Sequence, residues 1–219
     1  MKDISSLLGT DATSQPLRIL AILTLLSLLP ALILTTTSFV RIAVVLSFVR
    51  QGLGTQQAPP TQVLVGLSIF LTFFSMAPVF SDIQHRALDP YLAGTMTDVQ
   101  AAEQSVAPLR SFMLRQTRQA DLEVFYAATG VPLPNKPEDV PLYIAAPAFV
   151  ISELSTAFQM GVMVLLPFLV IDLAVASLLM SMGMMFVSPT TISLPLKLLL
   201  FVLADGWNLV CGSLLRSFR

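Results

Sequence analysis

The chain has 219 residues, 55% of them hydrophobic and 11% charged, with a formal net charge of −1. Soluble domains carry about 25% charged residues, so the composition is that of a membrane protein, and its near-neutral balance points to neither nucleic acid nor anionic lipid as an electrostatically held partner. One cysteine, Cys211, excludes an internal disulfide and one histidine, His85, excludes a histidine metal cluster.

Residues 1–16, MKDISSLLGTDATSQP, form a polar N-terminal segment of mixed charge. No short apolar core follows a basic start, so a cleavable signal peptide is not expected here. Residues 17–80 make a first hydrophobic hairpin. Its opening block, residues 17–49, would reach almost 50 Å as one straight helix at about 1.5 Å per residue, against about 30 Å of hydrocarbon. It must tilt, break or stand partly outside lipid. Pro30 removes a backbone hydrogen bond and the hydroxyls of Thr35, Thr36, Thr37 and Ser38 are available to freed carbonyls, so a kink or break is expected there. Arg41 follows on the same stretch and is expected to face protein, water or headgroups, with snorkelling to an interface as the plain alternative. QGLGTQQAPPT, residues 51–61, is a turn, and the helix from Thr61 to about Phe80 is apolar on all faces.

Residues 81–148 hold most of the charge and read as a water-facing helical insertion. Thr97 and Gln100 have the spacing of a capping box, and Pro108 suits the first turn of a following helix. Leu109, Phe112, Met113, Ala120 and Val124 recur at helical spacing, which predicts an amphipathic face packed either on other subunits or within the chain. Gly130 and the proline-rich VPLPNKPEDVP end that helical stretch.

Residues 149–219 make the second hairpin, with apolar segments over 158–187 and 192–215 about a polar interruption. Glu153, Asp172, Lys197 and Asp205 stand in apolar settings, where each must be paired, hydrated or neutralised. Lys197 and Asp205 are expected on one helix stripe but about 12 Å apart, too far to pair. Asp172 is the better partner for Lys197, and a structural pair is favoured over a proton relay. Just before the interruption stand Met180, Met182, Met184, Met185 and Phe186, a deformable apolar cluster suited to sealing around a moving polypeptide. The long loop aside, Lys2, Arg18, Arg216 and Arg219 outnumber Arg50, a charge balance that places the termini in the cytoplasm. Signatures of phosphate loops, dinucleotide folds, zinc proteases and serine hydrolases are missing, so neither an enzyme nor a cofactor or metal site is expected.

Long ordered stretches carry a resemblance. They are LPALILTTTSFVRIAVVLSFVRQGLGTQQAPPTQVLVGLSIFLTFFSMAPV, PLRSFMLRQTRQADLEVF, PAFVISELSTAFQMG and PFLVIDLAVASLLMSMGMMFVSPTTISLPLKLLLFVLADGWNLVCGSLLRSF. The chain resembles the FliP family of flagellar export-gate proteins, whose injectisome relatives are called SctR. The ending DGWNLVCGSLLRSF looks more flagellar than injectisome-like.

The resemblance implies an all-α fold: two long kinked helical hairpins, four hydrophobic helices in all, with a small helical insertion, assembling into a multi-subunit helical channel. It implies a pentamer that, with FliR and FliQ and with FlhA and FlhB nearby, passes unfolded flagellar subunits across the bacterial inner membrane at the flagellar basal body, energised by the proton motive force. The insertion would lie on the periplasmic side, against the charge balance. Carried over by position, the family's pore gasket falls on Met184, Met185 and Phe186, with Met182 beside them. Where Phe186 stands, the family commonly has a third methionine. Phe112, Phe125 and Glu153 match positions implicated in subunit association. Three alternatives stay open at this point: an injectisome gate subunit, a proton-coupled small-solute transporter that uses Asp172, Lys197 and Asp205, and an assembly scaffold whose pore other subunits line.

Overall fold

A computed structural model of the chain describes residues 14–55, 57–132, 134, 136 and 139–218. Lys2, Arg219 and nearly all of the polar segment 1–16 lie outside the described residues. Among those described, every regular element is helical.

Helix α1 (Ser14–Thr35) runs through Pro30 without ending, and the chain turns only afterwards, bending by 68° into α2 (Phe39–Gly52). The break therefore falls on the hydroxyl cluster. Thr35 Oγ1 donates to the Ala31 carbonyl and Thr36 Oγ1 to the Leu32 carbonyl, both at 2.8 Å, and the Leu32 carbonyl also accepts the Thr36 amide at 3.0 Å, so hydroxyls back-bond onto the last turn of α1 where the helix bends. A hydrogen bond between the Ser38 and Ser75 hydroxyls ties this corner to α3 (Thr61–Ile83).

Helix α3 goes further than the expected end near Phe80. It continues through a π-helical turn at Gln84–Leu88 into α4 (Asp89–Leu92), giving one helical run of 32 residues. Helix α5 (Asp98–Gln116) begins with the expected capping box: the Gln100 amide donates to Thr97 Oγ1 at 3.4 Å and the Thr97 amide to Gln100 Oε1 at 3.1 Å. Pro108 lies inside α5 rather than at the start of another helix. It is buried on the same face as Phe112 and Met113, and that packing offsets the hydrogen bond the ring removes. Helix α6 (Gln119–Thr129) stops at Gly130, whose φ of 66° is the left-handed cap glycine allows.

Helix α7 (Leu142–Ser181) is a single element of 40 residues, and it starts inside the stretch assigned to the insertion. At about 1.5 Å per residue it is about 60 Å long, twice the thickness of a hydrocarbon core. The apolar segment after it is not one helix. It divides into α8 (Pro189–Leu203) and α9 (Gly206–Arg216), bent by 63° at a left-handed Asp205. A methyl group at Gly206 would come within 2.3 Å of the Phe201 ring, so the missing side chain is what lets this elbow close.

The core lies along α2. Ile42, Val45 and Leu46 meet Leu64 and Leu71 of α3, Ala157 of α7 and Leu214 of α9. A second cluster, Met76, Val79, Phe112, Met113 and Phe149, joins the insertion to both hairpins, so Phe112 packs within its own chain. Among the described residues two helical runs, Thr61–Leu92 and Leu142–Ser181, are long and apolar enough to cross a membrane, or four if each bent pair counts as one span. Large apolar side chains such as Phe70, Phe73 and Phe74 on α3 and Leu166, Val170 and Leu173 on α7 face outward.

Candidate gate loop and buried charge pairs

Arg41 does not snorkel. It sits inside the chain, 3% exposed, in the last place an unsatisfied guanidinium could be tolerated. All five of its N–H donors are used. Nε donates to Glu153 Oε2 at 2.9 Å and Nη2 to Glu153 Oε1; Nη1 donates to the carbonyl and hydroxyl of Ser217, both at 3.1 Å, and Nη2 also to Gln116 Oε1 at 3.1 Å. The Phe218 ring covers one face of the guanidinium, its centroid 4.0 Å from Cζ. One side chain thereby joins α2, the end of α5, α7 and the residues after α9. Only the planar arginine fork has the donors for this arrangement.

The second pair lies nearer the methionine cluster. Lys197 on α8 donates to Asp172 Oδ2 on α7 at 2.6 Å, and Ser193, one helical turn earlier, donates to Oδ1 at 2.6 Å. The pairing expected of Lys197 and Asp172 is therefore present. Asp205 is not in an apolar setting: it is exposed at the elbow and accepts from Asn208 Nδ2 at 3.1 Å. With α8 ended before it, Asp205 shares no helix stripe with Lys197.

Between α7 and α8, Gly183 takes a φ of 75° and the Met184 amide reaches back to the Leu179 carbonyl at 2.9 Å, closing the end of α7 tightly. The turn projects Met182, Met184, Met185 and Phe186, all exposed, and Phe186 touches almost nothing of its own chain. Four large apolar side chains thus stand together on one tip, between 45% and 104% exposed among the described residues. Of the residues read as association positions, Phe125 is half-buried on α6, whereas Phe112 and Glu153 are inside the chain. Gln116, Ser193, Ser217 and Phe218 were not foreseen. Ser193 could have been, because its spacing to Lys197 places both on one helix face; the others meet Arg41 only through the fold.

The sequence profile of the FliP family matches residues 22–214. The chain belongs to the FliP family. It is 51% identical over 210 residues to the flagellar biosynthetic protein FliP of Pectobacterium carotovorum subsp. carotovorum, covering 96% of this chain and 81% of the relative. The FliP of Bacillus subtilis (strain 168) is 49% identical over 208 residues, covering 95% of this chain and 94% of the relative. That of Aquifex aeolicus (strain VF5) is 45% identical over 213 residues, covering 96% and 89%. The FliP-family match takes in Arg41, Glu153, the Asp172 and Lys197 pair and the methionine tip, while Ser217 and Phe218 lie just past it.

Proposed function

We propose that this chain is a core subunit of a flagellar protein-export gate, several copies of which enclose the channel that unfolded flagellar subunits use to leave the cytoplasm. The exposed tip of Met182, Met184, Met185 and Phe186, on a chain of the FliP family, is the observation that carries this reading. The relatives' flagellar names favour a flagellar over an injectisome gate. The hairpins 17–80 and 149–219 would form the wall, their outward apolar faces covered by sister chains and lipid, with FliQ and FliR completing the conduit and FlhA and FlhB beside it. A pentamer in the bacterial inner membrane, with the insertion 81–148 on the periplasmic side, fits a helix as long as α7.

The work of the gate is passive, not catalytic. At rest, Met184, Met185 and Phe186 from several copies meet at the axis, and water and ions are excluded because a narrow apolar constriction hydrates unfavourably. Thioether chains can reshape around whatever polypeptide enters. The pair of Asp172 and Lys197 holds the base of the tip while the tip itself deforms. Phe112, Phe125 and Glu153 serve association, Phe125 from the surface and the other two by fixing the helices that form it.

Replacing Met184 and Met185 together with alanine tests the gate. Assembled complexes, counted by native mass spectrometry, should form normally yet leak ions across a planar bilayer. Wild-type conductance in the assembled variant would remove the gasket from this reading.

A further inference from the structure

Helix α6 lacks a local N-terminal cap. Its cap position is Arg118, whose side chain offers no oxygen to the first amides, unlike Thr97 at the start of α5. In a closed box the acidic residue three positions on, Asp121, would accept the Arg118 amide. Here a hydroxyl from another helix stands between them. The Arg118 amide donates to Ser152 Oγ at 3.0 Å, and the Ser152 hydroxyl donates in turn to Asp121 Oδ2. Arg118 folds its guanidinium onto the same carboxylate, with Nε 2.9 Å from Oδ2. Ser152 is fully buried on α7, directly before Glu153.

We infer that Ser152 is a positioning residue that closes the N-terminal hydrogen-bond box of α6 from across the fold, setting the angle at which α6 presents Phe125 and Val124. Both sides of the box depend on this one hydroxyl, which ties the first turn of α6 directly to α7. The apolar cluster of Tyr126, Val140, Ile144 and Ala145, with Leu122 and Phe125 packed against it, holds the inner face of α6, so the polar box at the first turn and this cluster together fix the helix. Val124 is exposed, and Phe125, one side of which packs on that cluster, is half-buried. The inference rests on the reading of Phe125 as part of a subunit contact.

The test uses the full chain in detergent, with hydrogen exchange by mass spectrometry and ring yield by native mass spectrometry. Ser152→Ala and, from the other side of the box, Asp121→Ala should each speed exchange of amides 118–125 by roughly ten- to a hundredfold and lower the yield of rings, with amides in the later half of α7 unchanged. Asp121→Asn keeps an acceptor for the Ser152 hydroxyl and should restore most of both. Unchanged exchange in both alanine variants would overturn the box. Faster exchange with rings at wild-type yield would overturn its role in presenting α6, whereas normal rings from Phe125→Ala would sink the contact reading instead.

Discussion

Arg41 and Glu153, 112 positions apart in sequence, form a two-pronged ion pair in the interior, and among the described residues each is the other's only counter-charge there. A pair of this kind adds little over a well-packed apolar alternative, but losing one member strands the other charge where water cannot reach it.

Glu153→Gln is therefore expected to cost roughly 3–5 kcal/mol of stability, and Arg41→Lys a comparable amount because an ammonium cannot reach Glu153, Gln116 and Ser217 together. The double change Arg41→Met with Glu153→Leu should recover much of that loss. Chemical unfolding of the detergent-extracted chain checks the order, and a double variant weaker than both singles would refute it.

Asp172→Asn and Lys197→Met should not add. Each breaks the same contact, so their sum should exceed the loss in the double variant by roughly 0.5–3 kcal/mol. Thermal unfolding of all four combinations measures this coupling. Additive losses would mean that the two side chains act independently.

At Gly161 a methyl group would stand 2.2 Å from Phe48 Cδ2, so Gly161→Ala must push the ring out of the seam between α2 and α7. The expected cost is about 1–3 kcal/mol. Combining it with Phe48→Leu should relieve part of that cost in the same unfolding assay. No change from Gly161→Ala alone would show that the seam is looser than its geometry.

The Ser152 hydroxyl, and after it the Arg118 guanidinium, hold the Asp121 carboxyl below its ordinary value against the opposing effect of burial. A lowered carboxylate contributes stability that is present above its unfolded value and fades as pH falls through the folded one. Arg118 at the cap of α6, and Glu153 on α7 paired with Arg41 of α2, are other charges on the elements packed here among the described residues. Docking of α6 should hold from about pH 8 down to about pH 5 and weaken only below about pH 4. Hydrogen exchange of the α6 amides at about pH 3 relative to about pH 6, compared between the native chain and Asp121→Asn, measures it, and an unaltered acid response in the variant would remove Asp121 as the cause.

Much of this was legible beforehand, for identifiable reasons. Hydropathy located the apolar helices because lipid imposes a long uninterrupted signal, and the Thr97 and Gln100 spacing named a helix start because its chemistry is local. The cost of a buried charge was enough to match Lys197 with Asp172. It was not enough to match Arg41 with Glu153, since an arginine near a helix end has a second escape toward water. The elbow at Asp205 had a local signal in the Asp205-Gly206 dipeptide, but the long apolar run on both sides of it outweighed that signal. The left-handed Asp205 makes the bend, and Phe201 packs across it onto Gly206 and Trp207, five and six residues on.

The length of α7 has a mechanical consequence. From Ser152, where the insertion is fastened, to Ser181 at the foot of the methionine tip is about 43 Å of helix. A tilt of about 5° at the fastened end would swing the tip by about 4 Å, close to the width of a methyl group. Whatever grips the insertion thus works a lever whose far arm ends at the exposed methionine tip.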